Sequence, residues 1–536
     1  MGEVMSQRPF SYPGIDPLVP APAPELVIGI VSPAGSRRAT LVELIQNELK
    51  EYGYGTQHIK LSDLISLVPK HKNIHSDNTE EPGRTIALMD AGNEVRMDSG
   101  LGDALAILAI TEIKNRREAV QDFSNAGTGG DYCQRVAYIL DSLKHPDEVN
   151  TLRSVYGQGF QLVSGYSRRE IRVKNLAARI ASSKCDPQGI DGYKSDAEKI
   201  VQRDSNEATN KLGQKVQSCF PLADFFVDLD FPGGEQKRVI SRYLEVLFDN
   251  PFVTPARDEV GMFHAEAASW RSSDLSRQVG AAICNSEGNV LSVGCNEAPR
   301  AHGGLYWEGD AGDGRDFQRG RNEGGEQKRL VVAEIFERMS QDERFATSGI
   351  DRLTELRNKV IKGCDDPVLE GLQALNVIEY GRTVHAEMAA LSDAAARGVP
   401  VKGATMYVNT FPCHLCARHV VAAGIQRVVY VEPYPKSLVA TLFDDSVVVE
   451  PEPGGAVKDK VVFEAFTGVA PRAYRFSFCL TGRRKDATGR PVRWRKAAAT
   501  TKMKRYVPSY LAMENLVING LAPGIRGDIG GEGDEG

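Results

Sequence analysis

Two short segments decide the interpretation of this chain: the tripeptide HAE at residues 385–387 and the pentapeptide PCHLC at residues 412–416. The sequence between them predicts one helix and then one strand, from Thr405 to Val408. Cys413 and Cys416 are three residues apart, so both sulfur atoms lie on one face of a helical first turn. Pro412 is typical of a helix start, and we expect His385 to open the other helix.

These residue types predict a catalytic metal site. The thiolates of Cys413 and Cys416 and a neutral His385 imidazole would bind one Zn²⁺ ion with three protein ligands, which leaves its fourth position open. Water bound there would be acidic enough to lose a proton near neutral pH. Glu387 is not needed as a ligand and is the candidate catalytic acid and base. The pattern H-x-E…P-C-x-x-C is typical of zinc-dependent deaminases of nucleobases.

The sequence of this region also allows two other interpretations. A structural zinc knuckle would need a fourth ligand, for which His414 and His419 are the nearby candidates. A second His-Ala-Glu tripeptide begins at His264, but no Pro-Cys-x-x-Cys segment follows it at a comparable distance. We therefore predict that His264 and Glu266 belong to a helix without a metal.

Length and composition limit the class of protein. The chain has 536 residues, which favours two to four domains, and a net charge of −6, which excludes a strongly basic coat for nucleic acid. No apolar run is long enough for a membrane span. Nine cysteines are too few for a disulfide scaffold of this length, so a reducing, cytoplasmic location is expected.

Strands alternating with helices predict an α/β protein with more than one domain. The expected divisions are a proline-rich, disordered arm (1–24), a parallel α/β domain with a helical extension (25–250), a zinc-binding α/β domain (251–480), and a basic segment with a flexible tail (481–536). The segments 278–283 and 290–293 predict a hairpin, and 303–325 a long glycine-rich loop.

A turn of small residues follows the first predicted strand and precedes a helix, an arrangement that can bind phosphate. The candidate residues for a nucleotide are Ser32, Gly35, Ser36 and Arg37. The segment does not match the P-loop pattern. Ser36 stands where the pattern has lysine, and Arg37 stands where it has serine or threonine. We expect nucleotide sensing, with Mg²⁺ held in part by Asp141, or a retained fold whose loop binds nothing.

Residues 251–444 resemble the cytidine and deoxycytidylate deaminase superfamily, through the zinc pattern and the turn Gly294-Cys295-Asn296-Glu297-Ala298-Pro299. The resemblance implies an α/β/α domain with a mixed sheet, in which Asn296 binds the 3′-hydroxyl of a sugar and Thr410 shapes the base pocket. Arg271, Arg277 and Lys436 are candidates for substrate phosphate, or else form surface ion pairs. Tyr430 is a candidate for packing near the base, or else an ordinary core residue.

The combination of both domains resembles the bacterial anti-phage deoxycytidine nucleotide deaminases, whose N-terminal domain is P-loop-kinase-like. That resemblance implies deamination of dCTP and dCMP to dUTP and dUMP, which starves phage replication of dCTP. It also implies a homo-oligomer, often a hexamer, and activity restrained until infection, in some members by a partner RNA.

Residues 483–505 are dense in arginine and lysine, with Asp486 as the one acidic residue. This segment could bind a regulatory RNA or phosphates, or be a solvated tail. Three functions therefore stay open: a deaminase of free nucleotides, a deaminase of cytosine in single-stranded RNA or DNA, and a binding protein with an inactive deaminase domain.

Overall fold

The computed structural model describes residues 24–77, 79–123, 135–186, 189–207, 210, 212–342, 350–364, 368–369, 374, 380–434, 437–452, 457, 459–503 and 507–521. Contacts divide the chain into two compact units. The first unit runs to Glu259 and resumes from Ala465, and the second extends from Val260 to Pro451 and up to Glu464. These divisions differ from the boundaries expected at residues 250 and 480.

Helices and strands follow in chain order. The N-terminal part contains β1 (Leu26–Val31), α1 (Arg38–Glu51), β2 (Gly55–Lys60), α2 (Leu61–Leu64), α3 (Ile74–Asp77), α4 (Gly83–Ser99), α5 (Ala104–Phe123), β3 (Val136–Asp141), α6 (Pro146–Tyr156), β4 (Phe160–Tyr166), α7 (Arg169–Ser183), α8 (Lys194–Ser205), α9 (Val216–Cys219), β5 (Phe225–Asp228), α10 (Gly233–Leu247) and α11 (Arg257–Ser269). The middle part contains β6 (Gly280–Cys284), β7 (Val290–Cys295), α12 (Asp316–Arg319), α13 (Glu323–Ser340), α14 (Ile350–Lys362), α15 (Ala386–Ala396), β8 (Thr405–Thr410), α16 (His414–Ala422), β9 (Arg427–Glu432), α17 (Val439–Leu442), β10 (Val447–Val449) and β11 (Val461–Ala465). The C-terminal part contains β12 (Gly468–Val469), α18 (Pro471–Phe478) and α19 (Val507–Asn519).

The first unit is built on a six-stranded sheet in the order β12-β5-β4-β1-β3-β2. Its strands are parallel except β12, which pairs antiparallel with β5. Every residue of β1 is buried, as its apolar run predicts. The strand order reverses at β1, which has β3 on one side and β4 on the other. The segment after β1 therefore lies at a crevice at the carboxyl edge of the sheet.

The second unit is built on another six-stranded sheet, in the order β10-β11-β9-β8-β6-β7. β6 pairs antiparallel with β7 and with β8, while β8 and β9 are parallel. Both sheets are therefore mixed, and the α/β class and the β6–β7 hairpin predicted from the sequence are confirmed. The predicted loop at 303–325 contains the short helix α12 and the start of α13.

A glycine sets the position of α15 on the second sheet. A Cβ atom at Gly294 would lie 2.4 Å from the carbonyl oxygen of Ala386 and 2.4 Å from the nitrogen of Ala390. The helix presents small residues to the sheet, since Ala386, Ala389 and Ala390 are all buried. Because no side chain separates the two backbones, the first turn of α15 lies close to the end of β7.

The described part of the C-terminal segment packs on the first unit, so it is not the fully solvated tail that its basic composition suggested. Ala499 and Met503 are buried in the core of that unit, and Trp494 packs against the same cluster while its Nε1 donates to the carbonyl of Phe248 at 3.3 Å. α19 packs on α5 and α6. Apolar contacts, with ion pairs of Lys496 to Glu48 and of Lys502 to Asp249, hold this part of the segment on the first unit. The proline-rich arm and residues 522–536 lie outside the described part.

Candidate metal centre and active site

Two helix starts bring the three predicted ligands together. His385 is the residue immediately before α15, Cys413 is the residue immediately before α16, and Cys416 lies in the first turn of α16. At a helix start the first backbone N–H groups point outward with partial positive charge, which favours thiolates. From His385 the chain runs away along α15 and comes back along β8, so it reaches Cys413 next to the point where α15 begins.

The distances fit a tetrahedral metal. Nδ1 of His385 lies 3.4 Å from Sγ of Cys413 and 3.4 Å from Sγ of Cys416, and the three donor atoms lie within 4.8 Å of one another. Zinc bonds of typical length to nitrogen and sulfur, meeting at a tetrahedral angle, separate such atoms by about 3.5 Å. In the described residues this is the one group of three or more His, Cys, Asp or Glu side chains that could hold a metal. The donor set of one nitrogen and two sulfur atoms is one that zinc prefers.

The charges of the three ligands are strongly linked. The hydrogen bond with Cys413 raises the pKa of His385 to about 8, against the opposing effect of burial. The hydrogen bond from the Cys416 thiol lowers the pKa of Cys413 to about 4, and the same interaction raises the pKa of Cys416. The site therefore already stabilises a thiolate on Cys413, the form that binds metals.

Glu387 lies in the first turn of α15 and is 4% exposed. Burial raises the pKa of its carboxyl, and the charge of Cys413 raises it further. A buried carboxyl beside the metal ligands can accept a proton and release it again to a nearby group.

Asn296 is buried near the end of β7, and its amide is already engaged at both ends. Its Oδ1 accepts from the backbone nitrogen of Val279 at 2.7 Å, and its Nδ2 donates to the carbonyl of Arg277 at 2.8 Å. One lone pair and one N–H remain on the amide. Asn296 thus holds the backbone of residues 277–279, which lead into β6.

Thr410 and Arg277 meet at one carboxylate. Thr410 Oγ1 donates to Oε2 of Glu432 at 3.3 Å, and Arg277 Nη1 lies 3.2 Å from the same oxygen. The Arg277 guanidinium also lies over the ring of Tyr434, 5.8 Å from its centre. Its side chain is 42% exposed, so it is accessible to a ligand although it is paired.

The remaining residues proposed for the substrate are less available. Arg271 donates to the carbonyls of Leu305 and Tyr306 and lies 3.5 Å from the centre of the Trp307 ring, so it holds the loop after β7. Tyr430 is a buried core residue that donates to Glu450. Lys436 lies outside the described residues.

Three acidic residues near the site were missed by the sequence analysis. Glu297 is buried and accepts from the nitrogen and hydroxyl of Ser273, and Asp274 accepts from the hydroxyl of Thr383, two residues before His385. Glu432 joins Thr410 to Arg277. Glu297 follows Asn296 directly and could have been suspected, whereas no local pattern indicates the roles of Asp274 and Glu432.

The second His-Ala-Glu tripeptide lies inside α11, as predicted. His264 contacts the ring of Phe263, and Glu266 accepts from Nδ2 of Asn409 at 3.1 Å. Glu266 therefore supports the strand β8.

The predicted phosphate-binding loop of the first unit follows β1. Ser32 Oγ donates to the carbonyl of Gly165, and Ser36 Oγ donates to the carbonyl of Pro33. Gly35 has φ +87°, and a Cβ there would lie 2.3 Å from the carbonyl oxygen of Arg172, so only glycine fits. Arg37 is exposed.

The expected magnesium site is not supported. Asp141 at the end of β3 is paired with Arg38 at 2.6 Å and with His58 at 3.2 Å. A carboxylate already ion-paired with Arg38 and hydrogen-bonded to His58 is a poor ligand for a hard cation.

Comparison with known proteins agrees with the geometry of the second unit. Residues 255–432 match the family model described as the cytidine and deoxycytidylate deaminase zinc-binding region. ComE operon protein 2 of Bacillus subtilis is 45% identical over 53 residues, which are 10% of this chain and 28% of that protein. The deoxycytidylate deaminase of phage T4 is 44% identical over 54 residues (10% and 28%), and the human deoxycytidylate deaminase is 37% identical over 76 residues (14% and 42%).

The chain thus spans less than half the length of these relatives. Among solved structures, the dCMP deaminase of cyanophage S-TIM5 in complex with dCMP and dUMP has 17% identity and a TM-score of 0.22, covering 40% of this chain and 100% of that chain. None of the described helices is both long and apolar enough to cross a membrane.

Proposed function

We propose that this protein is a zinc-dependent hydrolytic deaminase of free deoxycytidine nucleotides, converting dCMP, dCTP or both to dUMP or dUTP and ammonia. The observation that carries the proposal is the convergence of His385, Cys413 and Cys416 around one point. The buried carboxyl of Glu387 lies in the first turn of α15, two residues after His385 at the start of that helix. The match to the deaminase zinc-binding region supports it.

His385, Cys413 and Cys416 would hold the zinc ion, and zinc bound by three ligands supplies a Lewis acid with an open position for water. Glu387 takes a proton from the attacking water and delivers it to ring nitrogen N3, while the water oxygen bonds to C4. Glu387 then takes the proton of the new C4 hydroxyl and delivers it to the exocyclic amine, the C4–N bond breaks as the C4 carbonyl forms, and ammonia leaves. The net reaction consumes one water and leaves a carbonyl at C4.

Substrate binding would use the residues around this centre. The free lone pair and N–H of Asn296 can meet a sugar hydroxyl, since its other bonds fix its orientation. Thr410 would line the base pocket. Arg277 is the accessible cation for a phosphate, and Lys436 is a second candidate. Arg271 would have to exchange its bonds to the carbonyls of Leu305 and Tyr306 for a phosphate.

One assay separates this proposal from its alternatives. Zinc-loaded full-length protein is incubated with dCMP, dCTP, CMP and cytosine-containing single-stranded oligonucleotides, and uracil products are measured. We expect turnover of dCMP or dCTP that is abolished in Glu387→Gln and retained in Glu266→Gln, the matching residue of the second tripeptide. Turnover of oligonucleotides alone would favour a polynucleotide deaminase, and no turnover of any substrate would favour a binding protein.

We extend the proposal to the cellular role implied by the resemblance. This role has three parts: the protein depletes dCTP in antiviral defence, it forms a homo-oligomer, and a regulatory RNA binds it. The exposed basic residues Arg483, Lys485 and Arg490 support binding of an RNA. Measuring dCTP pools and phage titre in cells with the protein and with its Glu387→Gln variant tests the first, and light scattering of the purified protein tests the second.

A further inference from the structure

The first unit contains a cavity of about 700 Å³ at the carboxyl edge of its sheet. The loop after β1, the segment after β3, and helices α4 and α7 supply its walls. This volume lies within the range of sites for nucleotide-sized ligands. The wall also has an apolar part, which includes Leu88, Met89 and Leu176.

Most of the charged side chains that line the cavity are basic. These are Arg37, Arg38, Lys60, Arg84, Arg96, Lys144 and Arg179, against the acidic Glu81 and Asp204. Most have partners: Arg38 pairs with Asp141, Arg96 with Glu148, and Arg179 with Glu81. Among the lining cations in the described part of the chain, the guanidinium groups of Arg37 and Arg84 make no hydrogen bond or ion pair. Two unpaired guanidinium groups facing one cavity favour an anionic ligand.

Two buried polar atoms in the wall have no protein partner. Gln214 is 4% exposed, and its Oε1 makes no hydrogen bond. Arg96 is fully buried and its Nε is also unpartnered, although its other nitrogens bond to Glu148 and Asn93. Buried polar groups in folded proteins are nearly always hydrogen-bonded, so unpartnered atoms in a cavity wall mark a place for a polar ligand.

An internal carboxylate already binds the loop after β1. Oδ2 of Asp204 accepts from the backbone nitrogen of Ala34 at 2.6 Å, and Oδ1 lies 2.7 Å from Nζ of Lys144. The same Nζ donates to the carbonyl of Ser32. An amide in a loop before a helix, together with a lysine, is the arrangement that binds a phosphate oxygen elsewhere. Asp204 is fully buried and provides the negative charge here.

We propose that this cavity is a second ligand site, for a nucleoside polyphosphate, and that the Asp204 carboxylate competes with one phosphate group for Ala34 and Lys144. Arg84 and Arg37 bind the other phosphates, and the apolar wall takes the base. Serine and arginine replace the residues that phosphoryl transfer needs, so the site binds its ligand without turnover. The proposal does not depend on deaminase activity.

The test uses full-length protein carrying Glu387→Gln, with dATP and inorganic tripolyphosphate as probes in titration calorimetry. A purine nucleotide carries a two-ring base in place of the single-ring cytosine of the proposed deaminase substrate, which separates the two sites. We expect one dATP per chain, with affinity reduced at least about tenfold by Arg84→Ala, the loss expected for one charged hydrogen bond. Arg238→Ala is the matched control, because that arginine is exposed on α10 and does not line the cavity.

A second variant tests the competition. Asp204→Asn keeps a side-chain oxygen for the nitrogen of Ala34 but removes the negative charge, so dATP should bind at least about threefold more tightly. Unchanged or weaker binding by a variant with an unchanged melting temperature would contradict the competition. Absence of dATP binding at millimolar concentration, or equal affinity in Arg84→Ala, would overturn the site itself. Equal affinity for tripolyphosphate and dATP would contradict a base subsite.

Discussion

Nδ1 of His385 lies 3.4 Å from Sγ of Cys413, although the two residues are 28 positions apart in the chain. Each residue directly precedes a helix, and the two helices start next to each other at one end of the second sheet. The metal centre is therefore held by backbone elements on both sides and does not depend on a flexible loop.

Loss of His385 should remove the metal. His385→Ala leaves two thiols without the nitrogen ligand, so we expect zinc content to fall from one ion per chain to well below half. Metal analysis of the dialysed protein measures it. His264→Ala, in the second tripeptide, is the control and should keep its zinc. Equal zinc in both variants would place the metal elsewhere.

Glu387 should be needed for turnover and not for metal binding. Glu387→Gln keeps the size of the side chain but cannot accept a proton, so we expect kcat to fall by about 10²- to 10⁴-fold with zinc content unchanged. Steady-state kinetics with dCMP and metal analysis of the same sample provide both measurements. A variant that loses its zinc, or one that keeps its kcat, would contradict the proton-transfer role.

The clustering of the three candidate metal ligands could be predicted from the sequence because its determinants are local. Two segments of a few residues place His385, Glu387, Cys413 and Cys416, and helix starts depend on neighbouring residues. Strand β1 was also predicted, since a buried parallel strand needs only a short apolar run.

Contacts between distant segments could not be predicted in this way. Asp204 and Ala34 are 170 positions apart, and nothing in the sequence near either residue indicates their hydrogen bond. β5 was missed because it is a four-residue strand within a stretch rich in helical patterns. The packing of Trp494 on the first unit was missed because a basic composition indicates solvent exposure and hides a single apolar anchor.

Asn296 should affect stability and substrate binding together. Asn296→Ala removes its bonds to Val279 and Arg277 and leaves a buried N–H unpaired, which costs about 1–3 kcal/mol of unfolding free energy. Its KM for dCMP should rise more than its kcat falls, because the residue is proposed to bind the sugar. Asn289→Ala, on the exposed hairpin turn, should change neither quantity. A fall in kcat with constant KM would contradict the proposed role.

Asp141 should make stability depend on pH in the acid range. Burial alone would raise the pKa of its carboxyl, but the hydrogen bond with His58 and the charge of Arg38 hold that pKa below its usual value. The stabilisation is therefore complete above the ordinary aspartate pKa of about 3.9 and is lost as the pH falls through the lower value of the folded protein. Asp141→Asn should be less stable than the natural protein at pH 7, and the difference should shrink below about pH 4. Urea unfolding at several pH values measures it, and a difference independent of pH would be contrary evidence.

Arg117 should anchor the C-terminal helix of the first unit. Its guanidinium is buried and lies 2.8 Å from Glu25 and 2.8 Å from Glu514, which belongs to α19. Burial alone would lower the pKa of Arg117, but the bonds to both carboxylates raise it above its usual value, so the group stays charged. Removing one member of such a buried group leaves uncompensated charge, and Arg117→Met should cost about 3–5 kcal/mol.

The neighbouring Arg116 provides the control for this prediction. Its side chain is 33% exposed and pairs with Glu112, so Arg116→Ala should cost less than about 1 kcal/mol. Trp494 packs on the core of the first unit, whereas Trp270 and Trp307 belong to the second unit and are 59% and 56% exposed. The shift of tryptophan emission during urea unfolding therefore reports mainly on the first unit. The buried Tyr510 of α19 also packs against Tyr156. Equal urea midpoints for Arg117→Met and Arg116→Ala would show that such apolar contacts hold α19 and that the ion pairs of Arg117 add nothing.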